Sequence, residues 1–174
     1  EEGECMRILV VSDNHGDEYS LQELVDIYHD DIDLWFHCGD SEFKSSHKLW
    51  ETFKTVSGNM DYSNEFPGVV VESFEGETFV VVHGHKHQVK YSFDLFYDLA
   101  LTHGARVVFY GHTHVAKVDK KEDVYFINPG SITKPRGPIS EGSYAIYEKN
   151  DSEEKITFFD WDHNEIESLS QILS

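Results

Sequence analysis

The sequence predicts an α/β protein, a sandwich of two β-sheets with helices outside, and three observations lead there. Up to Tyr110 the chain alternates apolar β-like runs with amphipathic helical segments, the pattern of βα units. Beyond the last of these runs it changes to short segments separated by turns, the texture of antiparallel hairpins. Most informative are five short stretches that carry residues able to hold metal: Asp13-Asn14-His15, Gly39-Asp40, Gly58-Asn59-Met60-Asp61, His83-Gly84-His85 and Gly111-His112-Thr113-His114. Most follow an apolar run, and ligands at successive strand ends converge at one edge of a sheet, where open α/β sheets place their sites.

Taken in order, residues 6–12 read as a buried strand that opens the fold. Residues 20–29 carry Leu21, Leu24, Val25 and Tyr28 at the i, i+3, i+4, i+7 spacing of an amphipathic helix. A second strand over 33–37 delivers Asp40. A short helix over 45–52 and a short strand over 53–56 deliver Asn59. Strands over 69–74 and 78–82 flank Glu75-Gly76-Glu77, a hairpin turn. Phe93, Phe96, Tyr97 and Ala100 repeat at helical spacing up to Gly104, a helix C-cap, and 106–110 is the next central strand. Segments 115–118, 124–127, 144–148 and 155–160 read as antiparallel strands of a second sheet packed on the first, and 166–173 as a terminal helix. No linker, repeat or low-complexity stretch divides the chain, so residues 6–174 form one domain and Glu1–Cys5 an N-terminal extension.

The motif residues are aspartate, asparagine and histidine, mixed oxygen and nitrogen donors that suit Mn, Fe, Co, Ni or Zn. Asp13 and His15 stand two apart, so in extended chain both side chains leave on the same side and can serve one ion. His112 and His114 repeat that spacing. One such motif means little; five in succession point to a two-metal hydrolase.

In this order the motifs resemble those of the calcineurin-like metallophosphoesterases, whose pattern runs D-x-H, GD, GN, HG and GH-x-H. The Asn128-Pro129-Gly130-Ser131 loop that follows is also typical. The resemblance extends over nearly the whole chain and is nearest to the compact bacterial and archaeal phosphodiesterase branch. It implies an α/β/β/α four-layer sandwich of two mixed sheets flanked by helices, around a centre of two divalent ions per chain, manganese first, with nickel, zinc, iron or cobalt as alternatives. It assigns Asp13, His15 and His114 to one ion, Asn59, His83 and His112 to the other, and Asp40 to both, which makes Asp40 and Asn59 catalytic as well. Two ions about 3.5–4 Å apart turn a bound water into hydroxide near neutral pH, and that hydroxide attacks phosphorus in line.

Met60 departs from many members of the family, which carry histidine after the motif asparagine. A thioether neither binds phosphate nor gives up a proton, so low-pKa leaving groups are favoured and efficient alkyl monoester hydrolysis is not. The compact branch lacks this histidine too. His85 is a candidate for substrate binding and catalytic proton transfer. Arg136 either pairs with a substrate phosphate through two donors or lies in a solvent-exposed turn. Asp61 reads as a second acceptor for a ligand or for backbone, His37 as buried structure and His87 as solvated.

The net charge of −19 argues against a polynucleotide or an anionic membrane as partner, because nucleic-acid affinity comes largely from neutralised phosphates. The acidic balance and the absence of an added binding domain weigh against a nuclease. No apolar run approaches the ~20 residues that span a bilayer, residues 1–6 do not resemble a signal peptide, and two cysteines outside any C-x-x-C pair favour the cytoplasm. The expected partner is a small phosphodiester, and an oligomer remains open. The rival reading is a protein-interaction scaffold, since the vacuolar sorting subunit of retromer resembles this fold and works chiefly by binding partners; the intact ligand set argues for catalysis.

Overall fold

The computed structural model describes residues 5–61 and 65–173. The first half contains β1 (Met6–Val11), α1 (Glu18–Tyr28), β2 (Leu34–His37), a 3₁₀ turn (Lys48–Glu51), β3 (Lys54–Thr55), β4 (Val69–Phe74) and β5 (Glu77–Val82). The second contains α2 (Asp94–His103), β6 (Val107–Phe109), β7 (Lys117–Lys121), β8 (Val124–Asn128), β9 (Ser143–Lys149), β10 (Glu154–Asp160) and β11 (Gln171–Ile172). One sheet has six strands in the order β11-β10-β9-β1-β2-β3, and the other five in the order β4-β5-β6-β8-β7. Both are mixed: β1 is parallel to β2 but antiparallel to β9, and β6 is parallel to β5 and β8 while β7 and β8 are antiparallel.

Strand alternation sorts the buried apolar side chains of the strands into three layers. Ile8 and Val10 of β1, Phe79 and Val81 of β5, Phe109 of β6 and Ile127 of β8 meet between the sheets. Leu9 and Val11 point the other way, against Leu21 and Leu24 of α1. Val80, Val82, Val108 and Phe126 point away from the first sheet, against Phe96 and Ala100 of α2. The period of two thus puts central strands such as β1, β5 and β6 in contact with both the other sheet and a helix layer, and the result is the expected α/β/β/α four-layer sandwich. Phe36, Phe79, Phe109 and Tyr147 interlock at its centre with ring centroids 5.5–6.4 Å apart, and each buried ring contributes roughly 1.5–3 kcal/mol.

Four local expectations change. The segments after His114 do not make a sheet of their own: β7 and β8 complete the sheet of β5 and β6, whereas β9, β10 and β11 extend the sheet of β1. The helix expected over 45–52 shrinks to the 3₁₀ turn, started by the His47 ring accepting from Leu49 N–H (3.1 Å). The terminal helix is absent. Ile166, Leu169 and Leu173 do face the core at helical spacing, but Ser170 Oγ takes the Phe158 N–H and β11 pairs with β10. The hairpin loop of β4 and β5 is Glu75-Gly76, both at positive φ, with Glu77 already in β5. Gly104 caps α2 at φ 68, as expected.

Candidate metal centre

The parallel strands β1, β2 and β3 of one sheet and β5, β6 and β8 of the other end at a common rim. The expected edge of a single sheet is therefore the seam between two. Backbone bonds hold the strand ends within each sheet: Asp13 N–H donates to Gly39 carbonyl (3.1 Å) and Gly111 N–H to His83 carbonyl (3.0 Å). Between the sheets, His112 N–H donates to Asp13 Oδ2 (3.2 Å) and Ser131 Oγ to the Asp13 carbonyl (2.7 Å).

Asp13, His15, Asp40, His112 and His114 all adopt left-handed backbone, with φ between 46° and 73°. The extended geometry expected for Asp13 and His15 does not occur, although the His112–His114 pair does repeat their conformation. Left-handed non-glycine residues cost about 1–2 kcal/mol each and cluster at functional sites. Here the turn folds each donor back over the strand end that carries it. The motif glycines permit the closure: a Cβ on Gly58 would lie 2.1 Å from Asp40 Oδ1, and one on Gly111 2.2 Å from Ser12 Oγ.

Two groups of donors result. Asp13, His15 and His114 form one; Asp13, Asp40 and His83 form the other. His114 Nε2 lies 3.3 Å from Asp13 Oδ1 and 3.3 Å from His15 Nε2. His83 Nε2 lies 3.3 Å from Asp40 Oδ2, 3.0 Å from Asn59 Oδ1 and 3.9 Å from Asp13 Oδ1. Asp40 Oδ2 is also 4.0 Å from His15 Nε2, so each aspartate faces both groups. His112 stands beside them with its ring 5.1 Å from that of His83. Arg136 is exposed, and its backbone N–H donates to the His114 carbonyl (2.9 Å).

The outer ring nitrogens decide what this arrangement can hold. His83 Nδ1 faces the Cys38 carbonyl and His114 Nδ1 the Lys134 carbonyl, both at 2.7 Å, while His15 Nδ1 faces Glu42 Oε2 at 2.8 Å. A carbonyl or carboxylate can only accept, so these Nδ1 atoms carry protons, and each ring, once its Nε2 proton is released, turns that lone pair inward. There they meet carboxylate oxygens. Asp13 Oδ1, fully buried, has no hydrogen-bond donor. Acceptors facing acceptors need a cation between them, and mixed carboxylate, amide and imidazole donors fit a divalent transition metal.

Electrostatics without a cation point the same way. Burial alone would push the Asp13 carboxyl up, but His114 and His15 hold it far below the usual carboxylate range. The hydrogen bond to Asp13 raises His15. Burial works against charging His83, and its bond to Asp40 outweighs that and raises it. His112, half-buried and repelled by His83, is pushed down to about 4.

Several supporting residues were legible and others were not. Asp61 acts on backbone: its carboxylate accepts from Asp40 N–H (2.9 Å), Glu42 N–H (2.8 Å) and Gly58 N–H (2.7 Å), joining the loops of Asp40 and Asn59. His37 is buried and bonded to Asn14 Oδ1 (2.7 Å), as read from its place at a strand end. Cys38 is buried too. Ser12, whose hydroxyl donates to Asp13 Oδ2 (2.5 Å), and Glu42 went unread; only Glu42, two residues past Asp40, carried any signal. His87, expected in solvent, is half-buried with its ring 5.7 Å from Phe96, and it lines a cavity with His85.

Comparison with known proteins agrees with this geometry. The calcineurin-like phosphoesterase superfamily domain matches residues 6–152. The probable metallophosphoesterase YsnB of Bacillus subtilis is 36% identical over 164 residues, 94% of this chain and 96% of that protein. The crystal structure of a predicted phosphoesterase from Streptococcus pneumoniae superposes with a TM-score of 0.94 at 36% identity, covering 98% of each chain. Vacuolar protein sorting 29 of Cryptosporidium parvum superposes with a TM-score of 0.73 at 17% identity over 99% of this chain and 97% of its own, a likeness of fold alone. By its profile match, its relatives and a donor set built at the strand ends of a two-sheet sandwich, the chain belongs to the calcineurin-like phosphoesterase superfamily of metal-dependent hydrolases.

Proposed function

We propose that the chain is a phosphodiesterase that hydrolyses small phosphodiesters with two divalent ions, manganese first among them. The observation that carries this reading is the convergence of His15, His83 and His114 Nε2 on the donor-free Asp13 Oδ1, with Asp40 Oδ2 beside them. In this reading Asp13, His15 and His114 hold one ion, Asn59, His83 and His112 the other, and Asp40 reaches both. When bound, such ions polarise phosphoryl oxygens and make a water nucleophilic at neutral pH.

The rest falls to the chain. Met60 N–H donates to Asp40 Oδ1 (2.8 Å) and so aims its other oxygen inward. The Met60 side chain is 56% exposed and holds no proton to give, so a leaving oxygen receives none from that position. This supports diesters with acidic leaving groups over alkyl monoesters. Asn59 offers its amide N–H to a phosphoryl oxygen. Burial and the neighbouring His83 push His85 down, so it meets the substrate as a neutral hydrogen-bond partner. Arg136, five residues past the Ser131 that pins Asp13 and Lys134, supplies a guanidinium for the phosphate. Bound cations would dominate the local field, which reconciles an anionic substrate with a net charge of −19. Among the described residues no helix is long and apolar enough to cross a membrane, and the unpaired Cys5 and Cys38 support a place in the reducing cytoplasm. The vacuolar sorting likeness, confined to the fold, does not favour a scaffold.

The test is a screen of metal-reconstituted protein against phosphomonoesters, cyclic nucleotides and other diesters, with metal content measured on the same samples. A clear diester preference with two ions per chain is expected. Protein that binds no metal, or hydrolyses monoesters as readily, rejects the reading.

A further inference from the structure

A cavity of about 620 Å³ opens beside the metal centre on the Asn59 and His83 side, a size that suits a small-ligand site. Phe66 and Val69 form an apolar wall, and Lys86, His85 and His87 form a polar one. These two histidines differ from the inward-facing three. Their Nδ1 atoms are buried with no hydrogen-bond partner, whereas His83 and His114 each direct Nδ1 at a carbonyl. Orphaned buried N–H groups are rarer than orphaned acceptors, so the proton of each neutral ring sits on Nε2, the nitrogen left to meet the cavity. Burial, and then the Lys86 ammonium, lower His87 and keep it uncharged. Its ring is braced against Phe96. Asp61, the carboxylate in this lining, is already taken up by three backbone N–H groups. The lining thus presents two N–H donors and an ammonium together with apolar side chains.

We propose that this cavity holds one ester arm of the substrate, and that His87, with Lys86, selects an arm ending in an anion, carboxylate or phosphate. The catalytic side of this inference rests on the phosphodiesterase reading; the binding side does not. Neither residue touches the scissile phosphate, so they act on specificity.

Three p-nitrophenyl phosphodiesters test it, with ethyl, 2-carboxyethyl and 2-phosphoethyl as second arms, assayed on metal-loaded protein. The charged arms are expected to be preferred through KM, and the difference between them identifies the anion. His87→Ala should lower that preference about tenfold, the loss expected for one hydrogen bond to a charged group. His87→Gln, which keeps an N–H donor, should restore part of it. If the ethyl ester is cleaved as well as the others, the cavity inference fails and the phosphodiesterase reading stands. A second readout is independent of turnover: titration of 2-carboxyethylphosphonate against propylphosphonate into ¹⁵N-histidine-labelled protein. The expected result is a protonated Nε2 on His87 and tighter binding of the carboxylated compound. That result without cleavage of any ester would keep the cavity and reject the enzyme. A protonated Nδ1, or equal binding of both phosphonates, overturns the proposal.

Discussion

Asp61 is the residue whose loss the structure translates most directly into numbers. Its Oδ2 accepts from Asp40 N–H and Gly58 N–H, and its Oδ1 from Glu42 N–H. Asp61→Asn leaves one carbonyl oxygen. In its better orientation the amide keeps the first two bonds at neutral strength and turns an NH₂ against the Glu42 N–H. A hydrogen bond to a charged group is worth about 1.5–3 kcal/mol and a neutral one about half of that. Losing one bond and weakening two therefore sums to roughly 3–6 kcal/mol, and partial exposure of Asp61 places the effect at the lower end, about 3 kcal/mol. For a domain of this size that lowers Tm by about 6–12 °C. The same bonds hold the loops carrying Asp40 and Asn59, so metal affinity should fall along with stability. Supporting groups around metal ligands are commonly worth about 10–100-fold in affinity or activity. Thermal unfolding in chelator isolates the structural part, and metal titration of the refolded variant isolates the functional one. A Tm within ~1 °C of wild type, with unchanged metal affinity, would refute the assignment of Asp61 as the brace between these loops.

Other perturbations test separate links. Asp40→Asn should lose at least one ion and most turnover while circular dichroism stays native; full metal content with normal activity rejects a shared Asp40. The acidic limb of the rate profile should move to lower pH as metal is added, because the raised His15 and His83 must release their protons before binding. A limb that ignores metal concentration points to another group. His37, pushed down to about 4 by burial, should make the metal-free fold pH-dependent with a definite sign. Its contribution is complete above about 6.5 and is lost as pH falls from there to about 4, on the order of 3 kcal/mol. Denaturant titrations of His37→Gln should show a shallower acid slope than wild type, and identical slopes contradict the claim. Met60→His should flatten the dependence of aryl diester rates on leaving-group pKa and raise monoester activity relative to diester. General-acid assistance is worth about 10²–10⁴-fold, so a wild-type series already insensitive to that pKa means another donor serves.

Much of this was legible because the signals are local. The run Ile8-Leu9-Val10-Val11, with Asp13-Asn14-His15 after it, encodes a strand buried on both faces and a turn that presents donors. Phe93, Phe96 and Ala100 encode a helix face, and α2 buries the last two. Ile166, Leu169 and Leu173 show the weakness of the same reasoning. Their spacing is helical, yet the segment follows the open edge of β10, where Leu173 N–H reaches Glu154 carbonyl (2.7 Å) and its own carbonyl accepts from Tyr125 Oη (2.6 Å). A partner strand offers backbone bonds that a short isolated helix cannot match.

By itself the sequence determined the layer architecture, the identity of the candidate ligands and their order along the chain, because periodicity and strand-end chemistry are properties of neighbouring residues. Only the tertiary structure decided that β7 and β8 join one sheet while β9 to β11 join the other, since pairing depends on which edges are free once the core closes. It likewise decided the proton positions on the histidines. His83 and His85 are two residues apart with the same side chain, yet one Nδ1 meets the Cys38 carbonyl, 45 positions away, and the other meets nothing. A tautomer is set by what lies across from the ring, and here that partner comes from the opposite sheet.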